Sequence, residues 1–320
     1  MSLLETLQHN PLIGDGAMGT MLYAKGIFIN TCYEQLCLTK PELIERVHRD
    51  YVEAGADLIE TNTFGANRLK LEAHGIADQL EAINRAAVHL ARKVAKPNTY
   101  ILGSVGPLLQ SDQLFSDRHT SELEQLFHEQ IALLADENVD AIQLETFTHV
   151  DEAELAARIA ASYNLPVFVS VTVGKDGETR RGERIEQIIR QLDACDAVDA
   201  IGINCGLGPA AAFSIAERAL PLTSKPFSVN ANAGLPQEVD GRLIYMSTPE
   251  YFSEYAKRLI ELGVRMVGGC CGTTPEHIAT MSKQVKSLSG VKEHIQITHH
   301  TDQETPPIKT IPTTAKCRFG

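Results

Sequence analysis

The chain has 320 residues, 43% of them hydrophobic and 22% charged, a balance that supports a sizeable core and excludes a wholly disordered polymer. Its 29 Lys+Arg against 41 Asp+Glu leave a formal charge of −12; that field repels phosphate backbones and anionic lipid, so neither nucleic acid nor a membrane surface is an expected partner. No apolar run approaches the roughly 18 residues of a membrane helix, and Met1-Ser2-Leu3-Leu4-Glu5 lacks the basic start of a secretion signal, so a cytoplasmic protein is expected.

In chain order, short apolar or β-branched runs alternate with longer amphipathic stretches. The strand candidates are 12–14, 57–61, 100–105, 141–145, 167–173, 200–204, 227–231 and 265–270. Helices are expected near 41–55, 76–96, 121–138, 151–163, 183–194, 209–219, 248–262 and 275–288. Thr39-Lys40-Pro41-Glu42, Ser247-Thr248-Pro249-Glu250 and Thr273-Thr274-Pro275-Glu276 read as helix starts, with a hydroxyl residue, then proline, then an acid. Gly55 and Gly263 read as stops.

Eight strand–helix pairs imply a parallel sheet covered by helices. Spread over residues 1–288 they take about 36 residues each, which suits an α/β fold of the (β/α)8 TIM barrel type as a single domain. An open doubly wound sheet is the competitor. Closure is preferred because suggestive side chains end several strands, including the first and the last, and a ring brings those ends together. The segment 289–320, with His299-His300 and Pro306-Pro307, lacks apolar periodicity and reads as a flexible tail or linker.

Seven cysteines are odd in number and sparse, which does not suit a disulfide framework. Cys32, Cys37 and Cys195 fit buried free thiols. By contrast Asn204-Cys205-Gly206 closes the sixth strand, Asn230-Ala231-Asn232-Ala233-Gly234 the seventh, and Gly269-Cys270-Cys271-Gly272 the eighth. Three sulfurs on neighbouring strands at one end of a barrel match a three-cysteine zinc site with one position open, an arrangement of catalytic rather than structural zinc.

Three other motifs stand at strand ends. Gly14-Asp15-Gly16-Ala17-Met18-Gly19-Thr20 contains G-x-G-x-x-G, but the apolar run before it is short and only one short turn is expected after it. A nucleotide site and a nest of backbone N–H groups for a carboxylate are both open readings. Glu60-Thr61-Asn62-Thr63-Phe64-Gly65-Ala66-Asn67 ends strand two, either as turn and cap chemistry or as the polar wall of a pocket. Gln143-Leu144-Glu145-Thr146-Phe147-Thr148-His149 ends strand four; Glu145 needs a cationic or N–H partner or a cleft to face, and His149 reads as a cap or loop residue.

Taken together, these motifs resemble the zinc-dependent homocysteine S-methyltransferase family, of the betaine–homocysteine methyltransferase and methionine synthase N-terminal module type. They occur in family order from residue 14 to about residue 278. The resemblance implies a (β/α)8 barrel, Zn2+ held by Cys205, Cys270 and Cys271, and Asn232 as a ligand before substrate arrives. It also implies homocysteine contacts from the backbone of Ala17, Met18, Gly19 and Thr20, from the acids Asp15 and Glu145, and from Glu60, Thr61, Asn62, Thr63 and Asn204. Homocysteine thiolate would attack a methyl group on S-adenosylmethionine, S-methylmethionine or a methyltetrahydrofolate-derived donor, forming methionine. Betaine is disfavoured mildly, because without Trp an aromatic box for its ammonium needs Tyr or Phe. The tail resembles the linker that joins this module to a reductase in some bacterial chains, so a reductase domain or partner chain is a further expectation. Two other classes compete: a zinc Lewis-acid barrel hydrolase or aldolase, which favours His and carboxylate ligands, and a non-catalytic metal-binding module.

Overall fold

In the computed structural model, which describes residues 2–109, 115, 119–239 and 242–292, the chain enters through a plug. Helix α1 (Leu3–His9) starts at a reciprocal cap in which Ser2 Oγ accepts the Glu5 N–H and the Glu5 carboxylate accepts the Ser2 N–H, satisfying two donors that a helix start leaves over. Then come β1 (Leu12–Ile13), α2 (Gly19–Ala24), α3 (Leu36–Thr39), α4 (Pro41–Ala54), β2 (Leu58–Glu60), α5 (Arg68–Ala73) and α6 (Leu80–Val94). The middle of the chain forms β3 (Tyr100–Val105), α7 (Thr120–Asp136), β4 (Ala141–Phe147), α8 (Val150–Ala161), β5 (Val167–Val171) and α9 (Ile185–Asp193). It ends with β6 (Ala200–Asn204), α10 (Pro209–Ala219), β7 (Phe227–Ala231), the hairpin β8 (Gln237–Val239) and β9 (Arg242–Ile244), α11 (Pro249–Leu262), β10 (Met266–Gly269) and α12 (Pro275–Lys292).

Eight parallel strands lie in the order β1-β10-β7-β6-β5-β4-β3-β2. The first strand therefore neighbours the last, with Leu12 opposite Met266, and the open-sheet alternative falls. The barrel is nearly closed. Its β1/β2 seam has no ladder but is bridged by Asp57, whose N–H donates to Ile13 O at 2.7 Å and whose Oδ2 accepts the Ile13 N–H at 3.0 Å. The device recurs. Asp140 accepts the Ile101 N–H at 2.7 Å and Asp199 the Val167 N–H at 2.8 Å, so the aspartate before β2, β4 and β6 anchors the start of the strand preceding it.

Leu12, Leu58, Leu102, Ala141, Phe168, Ala200 and Met266 form an apolar floor on which Leu3 and Leu7 of α1 rest. A second, larger core fills the layer between sheet and helices. Above the floor the buried set includes the polar Ser104, Gln143, Ser170 and Ser228. Gln143 Nε2 donates to Ser170 Oγ at 3.0 Å, as buried polar groups require. The apolar floor closes the N-terminal end, so the chemistry collects at the C-terminal one.

All eight expected helices are present. The stretch read as 76–96 begins as a 3-10 turn, Ala77–Gln79, and becomes regular only at Leu80. The short turn expected after the glycine motif is instead the helix α2, and α1, α3, α5 and the β8–β9 hairpin were not foreseen. Gly55 and Gly263 cap α4 and α11 in the left-handed conformation. Among the described residues no helix is long and apolar enough to cross a membrane. Helix α12 runs through residue 288 to Lys292; His299, His300 and Cys317 lie outside the described residues.

Candidate metal and substrate site

Cys205 follows β6, and Cys270 and Cys271 follow β10, so the two loops bracket β7 at the C-terminal rim. Backbone hydrogen bonds fix them: Cys205 N to Asn230 O at 3.1 Å, Cys270 N to Ala231 O at 2.7 Å, and Ala233 N to Cys271 O at 2.9 Å. Cys205 is also held at φ 57°, a left-handed conformation that costs a side-chain-bearing residue on the order of 1 kcal/mol. The three sulfurs lie within 4.8 Å of one another, and Cys205 Sγ is 3.9 Å from Cys271 Sγ. Zinc–sulfur bonds of about 2.3 Å in a tetrahedron put sulfurs about 3.8 Å apart, so the cluster has the spacing of a zinc site.

Charge argues the same way. Hydrogen bonds from the Cys270 and Cys271 thiols push Cys205 down to about 3. Its sulfur in turn raises Cys271 to about 12 and Cys270 well above the ordinary thiol range. One thiolate forms easily and the next two are opposed by it; a cation removes that opposition. Asn232, only 3% exposed, donates to Cys205 and leaves its own buried Oδ1 without a hydrogen-bond partner. A metal ion fits both the sulfurs and that orphaned oxygen.

Beside the sulfurs opens a cleft of about 510 Å3 lined by residues from both ends of the chain, a size suited to a small molecule. Four carboxyl groups line it, Asp15, Glu34, Glu60 and Glu145, and the nearby Lys70 charge acts on Glu145. Burial raises Asp15, Glu60 and Glu145 above the ordinary carboxylate range; Glu145 further raises the other two, while hydrogen bonds from Ser104 and Glu60 restrain Glu145 itself. Asp15 Oδ2 accepts the Glu60 N–H at 3.1 Å. The Ser104 hydroxyl donates to Glu145, and Asn204 Nδ2 does so at 3.3 Å. Asn204 Oδ1 also accepts the N–H of Thr146 at 2.8 Å, a β-branched residue at φ 65°. The β4 ladder slips in register between Leu144 and Phe147, and Glu145 is aimed inward from this irregular stretch. The chemistry on offer is recognition of a compact cation beside a soft-metal centre.

Of the residues singled out in the sequence, Asp15, Ala17, Met18, Gly19, Thr20, Glu60, Thr61, Asn62 and Glu145 line the cleft together with all three cysteines. No side chain caps the start of α2 at Met18, which leaves the backbone there to the cleft. Thr63, Asn204 and Asn232 stand behind that surface, and all three are buried. Thr63 Oγ1 donates to Ser104 O at 2.7 Å. Cys32, Cys37 and Cys195 are buried free thiols, as expected, and His149 sits at the N-cap of α8. The sequence reading missed Tyr23, Tyr33, Glu34 and Phe64 on the cleft wall; Phe64 lay inside a quoted motif, and the others carried no signal beyond their type. It also missed Tyr245, in the chain that follows β9. Its hydroxyl bonds to Cys271.

A family model described as homocysteine S-methyltransferase matches residues 12–285. The methionine synthase of Mycobacterium leprae (strain TN) is 36% identical over 304 residues, a match that covers 88% of this chain and 25% of that protein. The chain thus spans a quarter of the length of that curated relative. Among solved structures, the oxidised form of the homocysteine methyltransferase MmuM from Escherichia coli superposes with a TM-score of 0.73 at 26% identity, covering 88% of this chain and 98% of that one. The metallated form of the same protein gives 0.73 at 24% identity, covering 87% and 97%.

Proposed function

The chain belongs to the homocysteine S-methyltransferase family, and we propose that it transfers a methyl group to the sulfur of homocysteine, forming methionine, with Cys205, Cys270 and Cys271 holding a zinc ion. The observation that carries this reading is the convergence of three sulfurs from two distant loops on the wall of an acid-lined cleft. A hydrolytic Lewis-acid site would favour His and carboxylate ligands; the cluster of metal-ligating groups here is all sulfur.

Zinc bound among three thiolates would deprotonate the substrate sulfur and, being softly ligated, leave it electron-rich and nucleophilic. The chain's own residues do the positioning. Asp15, Glu60 and Glu145 receive the ammonium group, a cation that favours their ionised form. The backbone from Ala17 to Thr20 receives the carboxylate, with Thr61 and Asn62 on the wall beside it. Asn204 and Thr63 act from behind: Asn204 aims Glu145, and Thr63 fixes the β2 loop to β3. Asn232 Oδ1, buried without a hydrogen-bond partner, would be a ligand of the metal before substrate arrives. Held at both ends, homocysteine presents its sulfur towards the cysteine cluster, and the donor's methyl group approaches from the cleft.

The test is a methylation assay with homocysteine against S-adenosylmethionine, S-methylmethionine, betaine and methyltetrahydrofolate, the last with and without a cobalamin-bearing partner. Methionine formed from one of these by the wild-type chain, and lost with zinc in Cys205→Ala, is the expected result. Methionine formation by zinc-free protein at the wild-type rate would reject the proposal.

A further inference from the structure

Below the cleft, the loop after β1 and the loop after β10 are stitched into one body. Gly269 N–H donates to Asp15 O at 2.8 Å and Gly272 N–H to Thr20 Oγ1 at 3.0 Å. Thr273 Oγ1 accepts the Ala17 N–H at 3.1 Å and donates to Cys270 O at 2.7 Å. Tyr51, wholly buried on α4, aims its hydroxyl at both loops at once, 2.8 Å from Ala17 O and 3.3 Å from Thr273 O. Two glycines make room. A Cβ on Gly16 would stand 2.6 Å from Thr273 Oγ1 and 2.9 Å from the Tyr51 hydroxyl, and one on Gly269 would stand 2.3 Å from Thr273 Oγ1.

We infer that Tyr51 and Thr273 form a clasp that couples occupation of the cysteine centre to binding of the amino-acid end of the substrate. The inference rests on the function proposed above, in which Cys270 and Cys271 hold metal while Ala17–Thr20 hold the carboxylate. Tyr51 is a positioning residue: its hydroxyl bonds to backbone carbonyls of the two loops. Because the loops share these hydrogen bonds, a ligand that orders one has already ordered part of the other, and the second ligand binds more tightly. Thermodynamic reciprocity makes the effect mutual.

L-2-Aminobutyrate tests this, being homocysteine with hydrogen in place of the thiol; it has no sulfur with which to reach a metal. Its affinity is measured by calorimetry for the full chain, zinc-loaded and chelator-stripped under reducing conditions. Zinc transfer to a chromophoric chelator is timed with and without it. In the wild type zinc should tighten aminobutyrate by about five-fold or more, the lower end of ordinary allosteric couplings, and aminobutyrate should slow zinc loss. Tyr51→Phe keeps the ring and loses the hydroxyl. It should bind both ligands with the coupling factor fallen towards one. Thr273→Val should behave alike, and Thr273→Ser, which keeps the hydroxyl, should restore the coupling even if Tyr51→Phe does not fold. A through-space effect of the metal's charge on the ammonium group would survive these substitutions, so a full coupling factor in Tyr51→Phe and Thr273→Val would overturn the clasp. Equal aminobutyrate affinity of loaded and stripped wild type would overturn it too. A wild type that binds neither zinc nor aminobutyrate would overturn the proposed function, and the clasp with it.

Discussion

Glu145 and Glu60 illustrate what single residues contribute to the cleft. Each is a carboxyl raised above its ordinary range mainly by burial, so each is ready to gain from an arriving ammonium. Replacing Glu145 by Gln keeps the shape and removes the charge; loss of a charge-assisted hydrogen bond is worth about 1.5–3 kcal/mol. We therefore expect Glu145→Gln to raise KM for homocysteine by about ten-fold or more while zinc content by atomic absorption stays at wild type. An unchanged KM would remove Glu145 from the ammonium site. The same burial makes a pH prediction. A carboxyl whose folded-state pKa is raised stabilises the fold fully below the unfolded value, about 4.3, and that contribution is lost as pH climbs towards the raised value. Glu60→Gln, which cannot ionise, should melt higher than wild type near neutral pH and lose this advantage near pH 4, followed by thermal melts across that range. Legibility at this scale divides by location. Cys205, Cys270 and Cys271 could be picked out because each follows directly on an apolar strand. Tyr51 could not, because on α4 it is one more buried position of an amphipathic stripe with Ile44, Val47 and His48, and nothing local marks its hydroxyl.

The longer elements follow from punctuation written in the chain. Pro41, Pro209, Pro249 and Pro275 open helices at their first turn, where a missing N–H costs nothing, and strands are the apolar runs between. The short elements were missed for a physical reason. Helices of four to seven residues, such as α1, α3 and α5, complete less than two turns, too few for an apolar period to repeat; they hold by caps and packing. In α1 the Ser2–Glu5 box was the one available signal. The anchoring aspartates are an element-scale feature as well. Asp199→Ala leaves the Val167 N–H without its acceptor, so we expect a loss of about 1–2 kcal/mol in urea denaturation with an unchanged m-value. Wild-type stability in that variant would make the aspartate merely decorative. A complementary result is expected at the β4 irregularity. Thr146→Gly should relieve a left-handed strain of order 1 kcal/mol, yet raise KM by loosening the aim of Glu145.

At the scale of the whole molecule, the sulfurs are brought together by ring closure. Residue 205 and the 270–271 pair are far apart in the chain but flank β7 because β6, β7 and β10 are neighbours in the sheet. That the ring closes was legible only through the chemistry at the strand ends, since alternation of strands and helices is equally compatible with an open sheet. The pairing of β1 with β10 decides it. The cysteines sit on rim loops of a barrel whose floor and helical layer pack independently of them, so removal of metal should leave far-UV circular dichroism unchanged. A collapse of the spectrum on chelation would mean that the centre is structural. The most direct test of the account is X-ray absorption at the zinc edge of the loaded chain, before and after homocysteine is added. Three sulfurs and one lighter neighbour are expected at first, and four sulfurs once homocysteine is bound. A shell that already holds four sulfurs, or one that stays unchanged when homocysteine is added, would contradict it.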